Sequence, residues 1–158
     1  MTEIGEPAPA FSLESDSGET ITLDSLRGRP VVVYFYPRDD TPGCTRQARA
    51  IRDTWADFGR LGAVVIGVSP QSAESHRRFK QKHSLPFPLL ADTEHAMAEA
   101  YGVWVEKTNY GRTSMGINRS GFVIDAEGRL AAAKRGVKAD DHAAWALAEV
   151  EKLVGAAA

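Results

Sequence analysis

Residues 31–52 read VVVYFYPRDDTPGCTRQARAIR, and this stretch decides the fold. Its first six residues are apolar, β-branched or aromatic, which is typical of a buried strand. Residues 37–43 are mostly turn formers, and the residues that follow Cys44 contain neither glycine nor proline and favour a helix. A strand, a tight loop and a helix therefore follow one another, and the only cysteine of the chain lies where the helix begins.

Cys44 occupies a position that favours a reactive thiol. Unpaired N–H groups and the positive end of the helix dipole at a helix N-terminus stabilise a thiolate relative to a thiol. A lone cysteine is more often a small, buried and inert side chain. An inert cysteine would be expected within an apolar periodic segment, whereas this one directly follows Thr41, Pro42 and Gly43. The local sequence therefore favours a functional role.

Length and composition indicate an ordinary globular protein. The 158 residues suffice for one domain with a substantial core, and we expect a single domain over residues 1–158. The net charge of -2 argues against nucleic acid or an anionic membrane as a main partner. Residues 1–7 do not resemble a signal peptide, no segment approaches the ~18 apolar residues of a membrane span, and a single cysteine suits a reducing compartment. We therefore expect a cytoplasmic protein.

Strands and helices alternate along the rest of the chain. Turn formers at residues 16–18 predict a hairpin between strands at residues 11–13 and 20–23. The remaining predicted elements are, in order, a strand at 31–36, a helix from about 44 to 61, a strand at 63–68, a polar helix to about 83, a short strand at 87–90, a helix at 96–101, a hairpin of strands 117–125 and 129–134, and a helix at 139–153. This order predicts an α/β, thioredoxin-like fold, with a mixed central sheet, helices on both faces and an N-terminal β-hairpin.

The spacing Pro37-x-x-x-Thr41-x-x-Cys44 matches the P-x-x-x-T-x-x-C signature of the peroxiredoxins. The longer stretch of residues 34–48 resembles the bacterioferritin comigratory protein, or peroxiredoxin Q, branch of that family. Three further stretches resemble the same branch: GEPAPAF at 5–11, YGVWVEK at 101–107 and GINRSGFVID at 116–125. The resemblance covers essentially the whole chain. It implies a thiol-dependent peroxidase that reduces hydrogen peroxide and alkyl hydroperoxides through a cysteine sulfenic acid.

The resemblance also implies roles for individual residues. Cys44 would be the peroxidatic nucleophile, and the Thr41 hydroxyl would accept a hydrogen bond from the peroxide and donate one to the thiolate. Pro37 would fix the loop. Arg119 would arrive from a distant strand, favour the thiolate and hold the two peroxide oxygens with its fork of donors. Two residues would help to orient the substrate or that arginine: Gln47 and Gly43. No cofactor and no metal are expected.

Each of these polar residues has a structural interpretation as well. Thr41 could be only a helix cap, Arg119 a surface charge on an edge strand, and Gln47 a solvated helix residue. Asp39 and Asp40 are interpreted as caps or turn formers rather than an acid/base pair.

The histidines and the nearby basic residues are predicted to lie at the surface. The four histidines occupy polar settings, and none pairs with Cys44 in a pattern typical of zinc ligands; they are His76, His83, His95 and His142. The first of them begins a basic helix face, with Arg77, Arg78, Lys80 and Lys82. We interpret this face as solvated, with docking of a partner as the alternative.

The chain lacks the second, resolving cysteine that many relatives carry. That cysteine lies five residues after the first or in the next helix, positions that correspond here to Arg49 and roughly to Lys80. We therefore expect a one-cysteine variant, a monomer, whose sulfenic acid is resolved by thioredoxin, glutaredoxin or a low-molecular-weight thiol. Two alternatives remain: a peroxide sensor that signals through oxidised Cys44, and a thioredoxin-fold holdase or binding module without efficient turnover.

Overall fold

The computed structural model describes residues 2–157. Its N-terminal segment forms the predicted hairpin. Strands β1 (Ser12–Glu14) and β2 (Thr20–Thr22) are antiparallel, with Leu13 opposite Ile21. Gly18 adopts a positive φ of 89° in the connecting turn, a conformation that glycine reaches without strain. A short 3-10 helix, Asp24–Leu26, leads on to the central sheet.

The central sheet is mixed, as the sequence predicts. Its five strands are β3 (Val31–Phe35), β4 (Val64–Ser69), β5 (Leu89–Ala91), β8 (Ser120–Ile124) and β9 (Leu130–Arg135), in the order β5-β4-β3-β8-β9. β3 runs parallel to β4 and antiparallel to β8. All five residues of β3 are buried, which explains why that strand is a continuous apolar run rather than an alternating one.

Helices cover both faces of this sheet. They are α1 (Pro42–Asp53), α2 (Trp55–Arg60), α3 (Ala73–His83), α4 (Ala96–Ala100) and α5 (His142–Ala157). Alternate residues of β3 enter two different cores: Val33 packs on the face covered by α4, and Val32 on the face covered by the other four helices. The thioredoxin-like expectation is therefore confirmed. Among residues 2–157, no helix is long and apolar enough to cross a membrane.

The helix predicted from about residue 44 to 61 is in fact two helices. The Thr54 hydroxyl and backbone N–H both donate to the Ala50 carbonyl, at 2.9 and 3.2 Å. The backbone bond is the ordinary helical one, but the second bond, from the hydroxyl to the same carbonyl, destabilises and bends a helix, and α1 ends at Asp53. The helix also begins two residues earlier than predicted, because Pro42 is accommodated in its first turn.

A second hairpin, β6 (Trp104–Asn109) and β7 (Arg112–Ile117), was not predicted. Four of the six β7 residues are exposed, so the strand lacks the apolar alternation from which strands are recognised. Ile117 ends β7 instead of beginning the next strand, which starts at Ser120. Arg119 therefore lies in the short connection between β7 and β8.

Candidate active site

Cys44 is the third residue of α1 and is 1% exposed. The Thr45 N–H donates to the Thr41 carbonyl at 2.8 Å, which closes the first turn of the helix. The N–H groups of Gly43 and Cys44 precede that bond, so neither has an acceptor within the helix. The sulfur therefore lies beside two backbone donors at the positive end of the helix dipole.

Arg119 reaches this helix terminus because of the register of the sheet. Ser120, the first residue of β8, pairs with Phe35, the last residue of β3. The residue that precedes β8 therefore lies next to the loop that follows β3. The Arg119 Nη2 atom is 3.4 Å from the Cys44 Sγ atom, so the structure brings together two residues that lie far apart in the sequence.

Gln47 and Gly43 determine how the guanidinium lies over α1. The Gln47 Oε1 atom, which is buried, accepts a hydrogen bond from Arg119 Nη1. A Cβ atom at position 43 would lie 3.2 Å from Arg119 Nη2, closer than nearly all such contacts. The missing side chain lets the guanidinium lie against the first turn. Because the guanidinium is a rigid plane, the bond to Gln47 fixes the direction of the donor that meets the sulfur.

Thr41 and Pro37 lie in the loop between β3 and α1. Their hydrogen bonds are with Arg38, in the same loop, and with Gln71. Thr41 has the extended backbone of an N-cap, but its side chain caps no N–H group of the helix. Its hydroxyl donates instead to the Arg38 carbonyl at 3.0 Å. The Pro37 carbonyl accepts from Gln71 Nε2 at 3.1 Å. Neither residue has the direct contact with the sulfur that Arg119 has.

Asp39 and Asp40 attach the same loop to α3, a role beyond the turn formation that the sequence suggests. Asp39 accepts hydrogen bonds from Tyr36 Oη, Ser75 Oγ and His76 Nδ1, at 2.6, 2.7 and 2.7 Å. Burial acts to raise the pKa of Asp39, but these hydrogen bonds outweigh it and lower the pKa below its ordinary value. The Asp40 carboxylate lies 2.6 Å from Lys82 Nζ and 2.9 Å from His83 Nε2, at a more exposed position.

The prediction that all four histidines lie at the surface is wrong for two of them. His76 and His142 are both 0% exposed. Burial and the nearby charge of Arg119 lower the pKa of His142 to about 3, so its imidazole is neutral. His76 lies between Ala73 and Phe79 at three-residue spacing, and all three are buried. That helical periodicity was the missed signal for a buried histidine.

The basic face of α3 is largely exposed, as the sequence predicts, with Arg77, Arg78 and Lys82 at the surface. Several of its side chains nevertheless pair with other elements. Lys80 Nζ lies 3.0 Å from the largely buried carboxylate of Asp16. Arg77 donates to the Asp16 carbonyl at 3.1 Å, and Lys82 pairs with Asp40. These side chains connect α3 to the N-terminal hairpin and to loop 37–41, which precedes α1. In the part of the chain that the structure describes, no three His, Cys, Asp or Glu side chains cluster as metal ligands.

Comparison with known proteins is decisive for the family. The AhpC/TSA family matches residues 4–133. The chain is 52% identical to peroxiredoxin Bcp of Bacillus subtilis over 151 residues, 96% of each chain. It is 44% identical to peroxiredoxin Bcp of Escherichia coli K12 over 126 residues, 80% of this chain and 81% of that one. The chain belongs to the peroxiredoxins of the AhpC/TSA family.

The fold of this peroxiredoxin also matches solved structures of the Bcp branch. A structure of the Xanthomonas campestris bacterioferritin comigratory protein, described for its alkyl peroxide reduction activity, superposes with a TM-score of 0.90. It is 35% identical and covers 96% of this chain and 99% of its own. Membership makes this chain a thiol-dependent peroxidase, an oxidoreductase that uses a peroxide and a thiol reductant.

Proposed function

We propose that Cys44 is the peroxidatic cysteine and that Arg119, Gln47 and the first turn of α1 form the peroxide site. The observation that carries this proposal is the 3.4 Å contact between Arg119 Nη2 and Cys44 Sγ at the helix N-terminus. Cys44 is the only cysteine of the chain, so no other residue can supply the thiolate that the family chemistry requires.

The proposed reaction begins with attack of the Cys44 thiolate on one oxygen of the peroxide. An S–O bond forms while the O–O bond breaks, and the departing alkoxide or hydroxide takes up a proton. The products are Cys44 sulfenic acid and an alcohol or water. Substrates of this class are hydrogen peroxide and alkyl hydroperoxides, and the alkyl peroxide activity described for the Xanthomonas campestris protein supports the second.

Activation of the thiol alone does not account for a fast reaction. A more acidic thiol is also a weaker nucleophile, with a Brønsted slope of about 0.4–0.5. Donors that bind the departing oxygen more strongly in the transition state than in the ground state supply the larger gain. The candidates are Arg119 and the N–H groups of Gly43 and Cys44. Thr41 joins them if its hydroxyl turns away from the Arg38 carbonyl to which it now donates, and Pro37 holds the loop.

An external thiol would resolve the sulfenic acid. It attacks the Cys44 sulfur, water leaves, and a mixed disulfide forms that a second thiol reduces. Arg49 and Lys80 occupy the approximate positions of the resolving cysteines of other members. The proposed reductant is thioredoxin, glutaredoxin or a low-molecular-weight thiol. We propose a single-domain, monomeric enzyme of the cytoplasm, without cofactor.

A single-turnover experiment tests the proposal. One equivalent of peroxide without reductant should give a dimedone-trappable sulfenic acid on Cys44, measured by mass spectrometry, and Cys44→Ser should neither consume peroxide nor lose its fold. Added thiol should restore turnover, which a peroxide sensor or a holdase would not show. Peroxide consumption by Cys44→Ser would disprove the assignment of the nucleophile. A Cys44–Cys44 dimer without trappable sulfenate would disprove resolution by an external thiol.

A further inference from the structure

Loop 37–41, which precedes the cysteine, is held by side chains from α3 and from the connection between β4 and α3. The Asp39 N–H donates to Gln71 Oε1 at 3.0 Å, and Gln71 Nε2 donates to the Pro37 carbonyl. Ser69 Oγ, at the end of β4, donates to the same Gln71 oxygen at 2.7 Å. The backbone of this loop is therefore hydrogen-bonded to Gln71 on one side. On the other side, the Asp39 side chain attaches the loop to α3.

His76 is the buried group at the centre of this support. Its Nε2 atom is 2.9 Å from the Leu90 carbonyl oxygen, and its Nδ1 atom is 2.7 Å from Asp39 Oδ2. A carbonyl oxygen only accepts, so Nε2 carries a hydrogen. The Asp39 carboxylate already accepts from Tyr36 and Ser75, which favours its ionised form. An ionised carboxylate also only accepts, so Nδ1 carries a hydrogen too.

We propose that His76 is a positioning residue that donates from both ring nitrogens, to Asp39 and to the Leu90 carbonyl, and so holds loop 37–41 in the conformation that sets Cys44 against Arg119. This inference rests on the proposed function of Cys44. The groups that face the imidazole are the Asp39 carboxylate, the Tyr36 hydroxyl at 3.4 Å from Nδ1, the neighbouring Ser75 and the Leu90 carbonyl. Burial, above all, raises the pKa of Tyr36 well above its ordinary value, so its hydroxyl remains a donor.

The pair of His76 and Asp39 acts through the loop, because the hydrogen bonds of both side chains go to groups other than the sulfur. Side chains of both residues are almost completely buried, at 0% and 5% exposure. Removal of one partner from a buried ion pair leaves the other without compensation, and the loop relaxes toward another arrangement. Displacement of a reacting group by about 1 Å costs up to about 100-fold in rate. Asp24, whose 83% exposed side chain pairs with Arg27 outside this loop, offers a matched control.

The protonation state is tested by nitrogen-resolved NMR of the His76 ring in the unmodified protein. Both ring nitrogens should carry a proton, because each faces an oxygen that only accepts. A ring with one unprotonated nitrogen in the folded protein at neutral pH would overturn the proposal. This measurement does not depend on peroxide chemistry, so its failure is distinguishable from failure of the Cys44 assignment.

The positioning role is tested by the kinetics of Asp39→Asn and Asp24→Asn. Asp39→Asn should slow reaction of Cys44 with peroxide by about tenfold and leave alkylation by iodoacetamide unchanged or faster, whereas Asp24→Asn, which breaks an exposed pair with Arg27, should leave both rates within about twofold. General destabilisation would not lower the peroxide rate selectively. If Asp39→Asn does not fold, Ser75→Ala removes one donor to Asp39 and should slow the peroxide reaction alone by about threefold. A folded variant of Asp39 or Ser75 that reacts with peroxide at the wild-type rate would overturn the proposal.

Discussion

Two polar clusters flank loop 37–41, and they differ in what they contact. In the first, Arg119 contacts both Gln47 and the sulfur of Cys44. Arg119 has five N–H donors, of which these contacts use two, so donors remain for a substrate. In the second, His76 uses both of its nitrogens on Asp39 and on a backbone carbonyl. The difference in contacts supports our proposals that the first cluster serves the chemistry and the second the geometry of the loop.

The largest effect is expected from Arg119→Lys. Lysine keeps the positive charge but lacks the planar fork that can hold two oxygens. The rate constant for peroxide should fall about 100-fold, whereas that for iodoacetamide should fall much less. Stopped-flow kinetics of the two reactions on the same preparation measure the difference. Equal slowing of both reactions would mean that Arg119 serves only to stabilise the thiolate, and the distinction between the two clusters would fail.

Gln47→Ala should have an intermediate effect. The substitution removes the acceptor that orients Arg119 without removing a donor from the site, so we expect the peroxide rate to fall about tenfold. Arg46→Ala is the matched control on the same turn of α1, because Arg46 pairs with Asp140 at an exposed position. Arg46→Ala should react with peroxide at nearly the wild-type rate. Similar losses in both variants would indicate a general effect on α1.

The smallest effect is expected on the free energy of unfolding. It comes from replacement of the Asp39 carboxylate and should depend on pH. The hydrogen bonds that lower the pKa of Asp39 in the folded state stabilise the fold fully above the ordinary value of about 3.9. That stabilisation is lost as the pH falls through the lower, folded-state pKa. Asp39→Asn should therefore reduce the free energy of unfolding by about 1–3 kcal/mol at pH 7, and by less below about pH 3.

Urea unfolding of the wild type and Asp39→Asn at both pH values measures this change. Asp140→Asn serves as the control, because Asp140 pairs with Arg46 at the surface and should show a smaller difference. A gap between wild type and Asp39→Asn that does not narrow in acid would mean that the Asp39 carboxylate does not contribute through its charge.

Much of the fold could be predicted from the sequence because its central strand and its loop have strong local signals. The apolar run at 31–36 and the turn formers after it correspond to β3 and to the entry of α1. The hairpin β6–β7 was missed because exposed strands do not require apolar alternation, and its turn at Tyr110 and Gly111, both at positive φ, carries only one glycine as a signal.

The candidate site, like the fold, could be predicted only in part. The family resemblance beyond the signature pointed to Arg119 and Gln47, and the structure places both beside Cys44. The support from Asp39 and His76 was missed, since Asp39 was interpreted as a cap or turn former and His76 as a surface residue. Burial of a charged pair depends on partners from other elements, here α3 and β5, and a local reading of the sequence cannot supply them.

The ion pair between Lys80 and Asp16 has a consequence for the evolution of this chain. Asp16 is largely buried, and its other carboxylate oxygen accepts from the Leu89 N–H at 2.9 Å. A lineage that acquired a cysteine at position 80 would leave this carboxylate without its cation. We expect such a gain to be selected against unless Asp16 changes as well, which makes the one-cysteine state difficult to leave by a single substitution at position 80.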